Sequence, residues 1–342
     1  MKSPTLLRAL LFVPLCAIAI SGCSPSRVPD SNKGKTTRVA DLRIFRFDYK
    51  TVTQLVVEKG GNAAKNHPKD HQWSIRLQKN ENGNWEFASS PEGTTLLDRR
   101  ADTVFIDHLL DTISTAQKVT SITTAAPESL GLVPPGFAFR WISKAGEMEL
   151  RIGNPAGDAT QHAEMQGLAF ASAPPNPEVF TIRGSVLKML AHIGSFETLR
   201  QRTWATFPAD DVDELELFIG PSPRKSRLYA QREGDVWTDR KHKPLKAQVG
   251  PFLEWLTTFK VAEFIDEEKL ANKLANSPAA YHEVRVTDRH GKATVFRLKD
   301  LRGKSTQPEV VGTLSTRPGT VAISTRDFER IKAFFSSSRS GG

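Results

Sequence analysis

The chain has 342 residues, 47 of them basic and 38 acidic, for a formal net charge of +9. With 39% hydrophobic and 25% charged residues it falls in the ordinary globular range, which excludes a mainly disordered chain, a collagen-like fibre and a multi-span membrane protein. Two cysteines are too few for a disulfide scaffold or a Cys-rich zinc module.

Lys2 and Arg8 form a short positive region ahead of an uninterrupted apolar run, ALLFVPLCAIAI, over 9–20. A helix of that length spans about 18 Å, well short of the ~30 Å hydrocarbon core of a bilayer. Pro14 also argues against a permanent span, so 1–22 reads as a secretory signal peptide. The next residues, Ile20-Ser21-Gly22-Cys23, resemble the lipobox of bacterial lipoproteins. That resemblance implies alkylation of the Cys23 thiol with diacylglycerol, cleavage before it, and acylation of the new N-terminus, with palmitate as the expected chain. Several acyl chains at ~0.8 kcal/mol per buried CH₂ hold a protein at a membrane far longer than one does. Cys16 leaves with the signal and Cys23 is lipidated. The mature chain is therefore expected to have no free thiol, no disulfide-linked partner and no cysteine catalysis, and a net charge of +7 once Lys2 and Arg8 are gone. Ser24, where an Asp would signal inner-membrane retention under the enterobacterial sorting rule, favours the outer membrane slightly. SPSRVPDSNKGKTT (24–37) lacks apolar periodicity and reads as a flexible tether, giving a lipidated cysteine and tether over 23–40.

The body that follows repeats one pattern, which predicts a first α+β unit over 41–197 and a second over 198–335. Phe47-Asp48-Tyr49-Lys50-Thr51-Val52 leads into a strand at Leu55-Val56-Val57, and Phe207 to Val212 leads into one at Leu215 to Ile219. A hairpin follows each: WSIRLQ (73–78), a turn at Asn82-Gly83, then Trp85; and SRLYAQ (226–231), a turn at Glu233-Gly234, then Trp237. Asp102 predicts the N-cap of a helix with Val104, Phe105, Leu109 and Ile113 at helical spacing. Its counterpart begins at Gly250-Pro251 and carries Phe252, Trp255, Leu256 and Phe259. Leu130-Gly131-Leu132-Val133-Pro134 reads as a turn, with Asn276-Ser277-Pro278 as its degenerate match. FAFRWIS (137–143) and MELRIG (148–153) match YHEVRVT (281–287) and ATVFRL (293–298). Each copy ends in a strand and a helix, Val179 to Ile182 then a helix capped at Ser185, and Thr320 to Ile323 then one capped at Thr325. The spacing of matched positions falls from 160 (Val52 to Val212) to 152 (Trp85 to Trp237) and 141 (Phe180 to Val321), as shortening loops between fixed elements would produce. The fold class expected is α+β: two tandem similar units, each a mainly antiparallel sheet with about two helices. Residues 336–342 are expected to be a disordered tail.

The order of these signatures resembles the family called domain of unknown function 4340, in two units over roughly 45–335. The motifs that carry it are Trp85, Asp102, Leu130-Gly131-Leu132 with Pro134, Leu150-Arg151-Ile152-Gly153 and Val179-Phe180; the second copy lacks a clean equivalent of the Gly-Leu turn and of Gly153. The resemblance implies a bacterial envelope protein associated with ABC-type export or gliding systems, and it carries no catalytic residues over.

The remaining motifs read as structural. The six tryptophans sit in strand or helix patterns and are expected in the core. His67, Asp70 and His71 fall in a polar loop around Pro68, where helical spacing has no meaning, so no metal site is expected. Asp107, His108 and Asp111 read as a solvated helix face, since an acid–base pair needs a third group and a cleft. No Gly-x-Ser-x-Gly elbow, HExxH, phosphate-binding loop or dinucleotide glycine pattern occurs. Basic clusters at Arg224-Lys225-Ser226-Arg227 and Arg240-Lys241-His242-Lys243 read as solvated surface, with no nucleic-acid partner expected. The expectation is a lipid-anchored, periplasm-facing envelope protein without cofactor or enzymatic activity. It would meet the membrane through its lipid and an envelope protein through its body. The alternatives are a solute- or polymer-binding protein and an envelope-polymer hydrolase.

Overall fold

The computed structural model describes residues 42–60, 72–91, 94–123, 125–156, 167–220, 226–245, 248–277, 280–302 and 308–337. The expected signal peptide, lipobox, tether and His67–His71 loop lie outside the described residues.

Alternation of apolar and polar residues builds the strands. In β1 (Gln54–Lys59) Leu55 and Val57 are fully buried while Gln54, Val56 and Glu58 face outward. β2 (Trp73–Lys79) turns at Gly83, whose φ of +77° suits glycine, into β3 (Trp85–Phe87). α1 (Thr103–Ser114), β4 (Lys118–Ile122), β5 (Phe137–Ser143), β6 (Gly146–Pro155), β7 (Leu168–Ala173), β8 (Asn176–Arg183) and α2 (Gly184–His192) complete the first half. The second half contains β9 (Val212–Ile219), β10 (Ser226–Glu233), β11 (Val236–Thr238), α3 (Val249–Thr257), β12 (Glu263–Ile265), α4 (Glu268–Ala275), β13 (Tyr281–Asp288), β14 (Ala293–Asp300), β15 (Val310–Leu314), β16 (Arg317–Ala322) and α5 (Thr325–Ser337).

The strands form two eight-stranded sheets in which adjacent strands pair antiparallel. Their orders are β3-β2-β1-β5-β6-β7-β8-β4 and β11-β10-β9-β13-β14-β15-β16-β12, one permutation written twice. Register extends the match to single residues. Leu55 lies opposite Leu77 and Trp141, and Leu215 lies opposite Ala230 and Val286. Trp85 pairs with Lys79, and Trp237 with Arg232. The fold is thus mixed α+β, strand-rich, with two similar sheet units.

α1 and α2 cover one face of the first sheet, and α3 and α5 cover one face of the second. The first core joins Leu55, Ile75, Trp85, Phe139 and Trp141 to Ile106, Leu109, Leu110 and Ile113 of α1. Asp102 caps α1, accepting from Phe105 N–H at 3.0 Å. Val104, expected on the buried face, is 80% exposed; α1 buries Ile106 and Leu110 instead, one turn apart. The second core joins Leu215, Val284 and Phe296 to Phe252 and Leu256 of α3 and Phe328 of α5. The chain passes from the first core at Leu199 to the second at Trp204, slightly beyond the expected boundary at 197.

Four local expectations change. The second half has three helices, not about two. Ser185 is not a cap: β8 runs straight to Arg183, and Ser185 already lies inside α2. Ser324, not Thr325, caps α5, accepting from Asp327 N–H at 3.1 Å and donating its hydroxyl to the Asp327 carboxylate at 2.7 Å. Residues 336 and 337, assigned to a disordered tail, form the last part of α5.

The extra helix explains the missing turn motif. After β4, Leu130 and Leu132 pack with Val179 on the outer face of the first sheet. After β12, Ala271 and Leu274 of α4 do so with Val311 on the outer face of the second. α4, not the expected Asn276-Ser277-Pro278, therefore stands where the first half has its Gly-Leu turn.

Candidate functional site

Cys23, Ile20, Ser21 and Gly22, the expected lipid-attachment motif, lie outside the described residues. Among the described residues no group of three or more His, Cys, Asp or Glu could hold a metal ion, and no helix is long and apolar enough to cross a membrane.

Of the polar helix residues singled out in the sequence, Asp107 is not simply solvated. It accepts the Trp85 indole N–H at 2.8 Å and lies 3.5 Å from the Lys79 ammonium, which itself sits 5.1 Å from the Trp85 ring centre. His108 and Asp111 are not drawn into that contact; their backbone carbonyls accept hydroxyls from the last turn of α1. Trp85, Trp141 and Trp204 are buried, as expected of core residues. The Arg240–Lys243 cluster forms a turn in which Asp239 accepts from Lys241 and Lys243 N–H at 2.7 and 3.0 Å.

The Leu-Gly-Leu turn and the Leu-x-Ile-Gly strand, recorded in the sequence as separate signatures, meet. Gly131 has φ +71° and a Cβ there would come 2.5 Å from the Asn154 side chain. A Cβ on Gly153 would come 2.2 Å from the Leu130 carbonyl oxygen, and Asn154 N–H donates to that same carbonyl at 2.8 Å. These glycines let backbone approach backbone, a structural role.

Two features have chemistry to offer. One is a seam between the halves. Arg200 and Arg317 are buried, with side chains 0% and 1% exposed. Arg317 pairs with buried Asp98 of the first half and donates to the carbonyls of Gln201, Thr203 and Trp204. Arg200 binds Asp266 through both amines, reaches Glu197 at 3.2 Å and the Asp98 carbonyl at 3.2 Å, and stacks 3.6 Å from the Phe264 ring centre. Burial pulls the Arg317 guanidinium below its ordinary pKa, against the pull of Asp98; burial pushes the Glu197 carboxyl up, against Arg200. Every member faces a counter-charge, so the seam's chemistry is structural.

The other feature is a concavity of about 550 Å³ on the outer face of the first sheet, where β2, β1, β5 and β6 are left uncovered. Val56 and Ile142 form its apolar floor, and Ile142 is 41% exposed. Arg76 and Arg140 stand directly opposite Val56 on the two flanking strands. Ser74, Ser89 and Glu147 complete the wall. Arg140 pairs with Glu58, whereas the Arg76 and Glu147 side chains have no hydrogen-bond or ion-pair partner among the described residues. No sequence pattern pointed here, because the residues come from four strands and the segment after β3 and assemble only through register. The nearest signal was the outward alternation of β1 and β5.

No family model, no curated protein and no solved structure matches this chain.

Proposed function

We propose that this is a lipid-anchored protein of the bacterial cell envelope whose two-sheet body serves as a non-catalytic binding or assembly module. One observation carries the anchor: a basic start, an apolar segment too short to span a bilayer, and Ile20-Ser21-Gly22-Cys23 follow one another in the order a lipoprotein signal requires. The resemblance to domain of unknown function 4340 supports an envelope setting and an accessory role beside an export or gliding-associated complex. The open, chemically mixed concavity supports binding by the body, since such surfaces recognise partners by shape and a few placed polar groups.

Labelling with a palmitate analogue tests the anchor. The wild-type chain is expected to incorporate label, to remain with the membrane fraction, and to accumulate as an unprocessed form in globomycin. Cys23→Ala is expected to abolish labelling and processing. Unchanged processing and fractionation of Cys23→Ala would remove the anchor from this reading.

A further inference from the structure

The two sheets share one strand order and one register, so each outward position of the first half has a counterpart in the second. At the counterpart of the concavity the second half is already occupied by itself. The position of Val56 is held there by Glu216, opposite Tyr229 on β10 and Arg285 on β13. The Glu216 carboxylate lies 3.1 Å from Arg240 and 3.8 Å from Arg285, and is only 17% exposed. Arg240 arrives from the turn after β11 and rests 4.9 Å from the Tyr229 ring centre. Two guanidinium groups from separate segments thus clamp one carboxylate over the middle strand.

The first half keeps two arginines beside the middle strand but has no carboxylate at the position of Glu216; its own β1 carboxylate, Glu58, lies two residues on and pairs with Arg140 alone among the described residues. Arg140 occupies the register position of Arg285. It gives one amine to Glu58, as Arg285 gives one to Glu283. Arg76 stands where Tyr229 stands and supplies the second guanidinium directly from the strand. Between them Val56 has no charge to offer, and the Arg76 side chain has no hydrogen-bond or ion-pair partner among the described residues. The space above is the 550 Å³ concavity, floored by Val56 and exposed Ile142.

We infer that the concavity of the first sheet is a receptor for a carboxylate carried by an acidic segment of a partner polypeptide. The carboxylate sits over Val56 between Arg76 and Arg140, where Glu216 sits in the second half, and an apolar neighbour in the segment covers Ile142. A flanking basic or hydroxyl side chain meets Glu147. This rests on the reading of the body as a binding module and specifies which face binds and what it takes.

Fluorescence anisotropy of the purified full-length chain in neutral detergent tests it, with a fluorescein-labelled nonapeptide of the repeat Leu-Glu-Gly as probe. The wild type is expected to bind it, and the Leu-Lys-Gly peptide not to bind. Arg76→Ala is expected to weaken binding about tenfold, the loss of one charge-assisted contact. Val56→Glu is the decisive variant. It restores the carboxylate of the second half, so it is expected to block binding while leaving the thermal midpoint equal or higher, which separates occupation of the site from misfolding. Equal affinity of wild type and Val56→Glu, equal binding of the two peptides, or no binding of the acidic peptide would each overturn the proposal. So would binding to phosphatidylglycerol vesicles that Arg76→Ala abolishes without any peptide binding, which would assign the clamp to a lipid surface. The assay requires no acyl chain, so failure here and failure of Cys23 lipidation are separate results.

Discussion

Gly153 shows how one position can take opposite residues in two matched sheets. In β6 it follows Leu150 by three, as Lys299 of β14 follows Phe296 by three, and both Leu150 and Phe296 sit opposite matched β5 and β13 residues. In the first half the Gly-Leu turn lies directly on the strand, and a side chain at 153 would drive into the Leu130 carbonyl. In the second half α4 occupies that space, and Lys299 reaches its C-terminal end, donating to the carbonyls of Ala275 and, at 2.7 Å, Ser277. Gly153→Ala is therefore expected to destabilise by about 2–3 kcal/mol, because backbone cannot yield as a flexible side chain does. Lys299→Ala is expected to cost about 1 kcal/mol, the loss of a charged helix cap. Urea unfolding of the two variants measures both, and a smaller loss for Gly153→Ala than for Lys299→Ala would refute the packing argument. Both glycines were visible in the sequence as signatures, and their type already implied tight backbone. That one signature packs on the other was not visible, because the contact joins residues more than twenty apart through sheet register.

At the scale of elements, the C-terminal helix shows how packing creates a pH response. α5 buries Phe328, Ile331 and Phe335, and His282 of β13 lies edge-on to the Phe328 and Phe335 rings, at 5.2 and 5.3 Å. Burial lowers the His282 pKa, and nearby Lys332 of α5 adds to this; Asp300 of β14 and Glu329 of α5 oppose it more weakly. The folded state thus binds the imidazole proton less readily than the unfolded chain, whose histidine titrates near about 6.5. The stability that neutral His282 supports is present above that value and is lost as pH falls through it towards the lower folded pKa. Thermal midpoints measured from pH 7.5 to 5 are expected to fall across this window in the wild type and to flatten in His282→Phe. Asp300 and Glu329, whose pKa values are held down by Arg302 and Lys332, act only at more acid pH. An equal slope in both proteins would show that His282 is not the source. Elements of this kind were legible wherever a local signal existed: the hairpins at Gly83 and Gly234, the Asp102 cap, and the apolar stripe of α3. β12 and α4 were not anticipated. β12 has three residues, too few for alternation to register, and α4 has eight, of which only Ala271 and Leu274 are buried. Both are specified by what they pack on more than by their own pattern.

At the scale of the whole body, both sheets belong to one compact unit, and the charged seam is what a duplicated sequence alone cannot disclose. Repetition predicts two similar halves; it does not say whether they move independently. The seam residues are not repeated: Arg317 stands where β8 has Asn176 and Phe264 where β4 has Ser121, and they meet Asp98 and Leu97 from a connection in the first half and Asp266 from the second. Leu97 N–H donates to Asp266 at 3.2 Å, and Arg100 donates to the Thr316 carbonyl at 2.5 Å, so the backbone itself is tied across. A buried pair of this sort adds little net stability over an apolar pair of the same volume, yet removing one partner leaves a bare charge inside and costs about 3–5 kcal/mol. Asp98→Asn should thus strand the Arg317 guanidinium, and urea unfolding should change from one cooperative transition into two, as the halves lose their coupling while each keeps its own core. The double variant Asp98→Leu with Arg317→Met removes the charge from both sides and should recover most of the loss. Recovery of the midpoint together with the single transition would mean that the seam acts by filling space. Recovery of the midpoint without it would mean that the hydrogen bonds from Arg317 to Gln201, Thr203 and Trp204 carry the coupling between the halves. No destabilisation by Asp98→Asn would show that the halves are held together elsewhere.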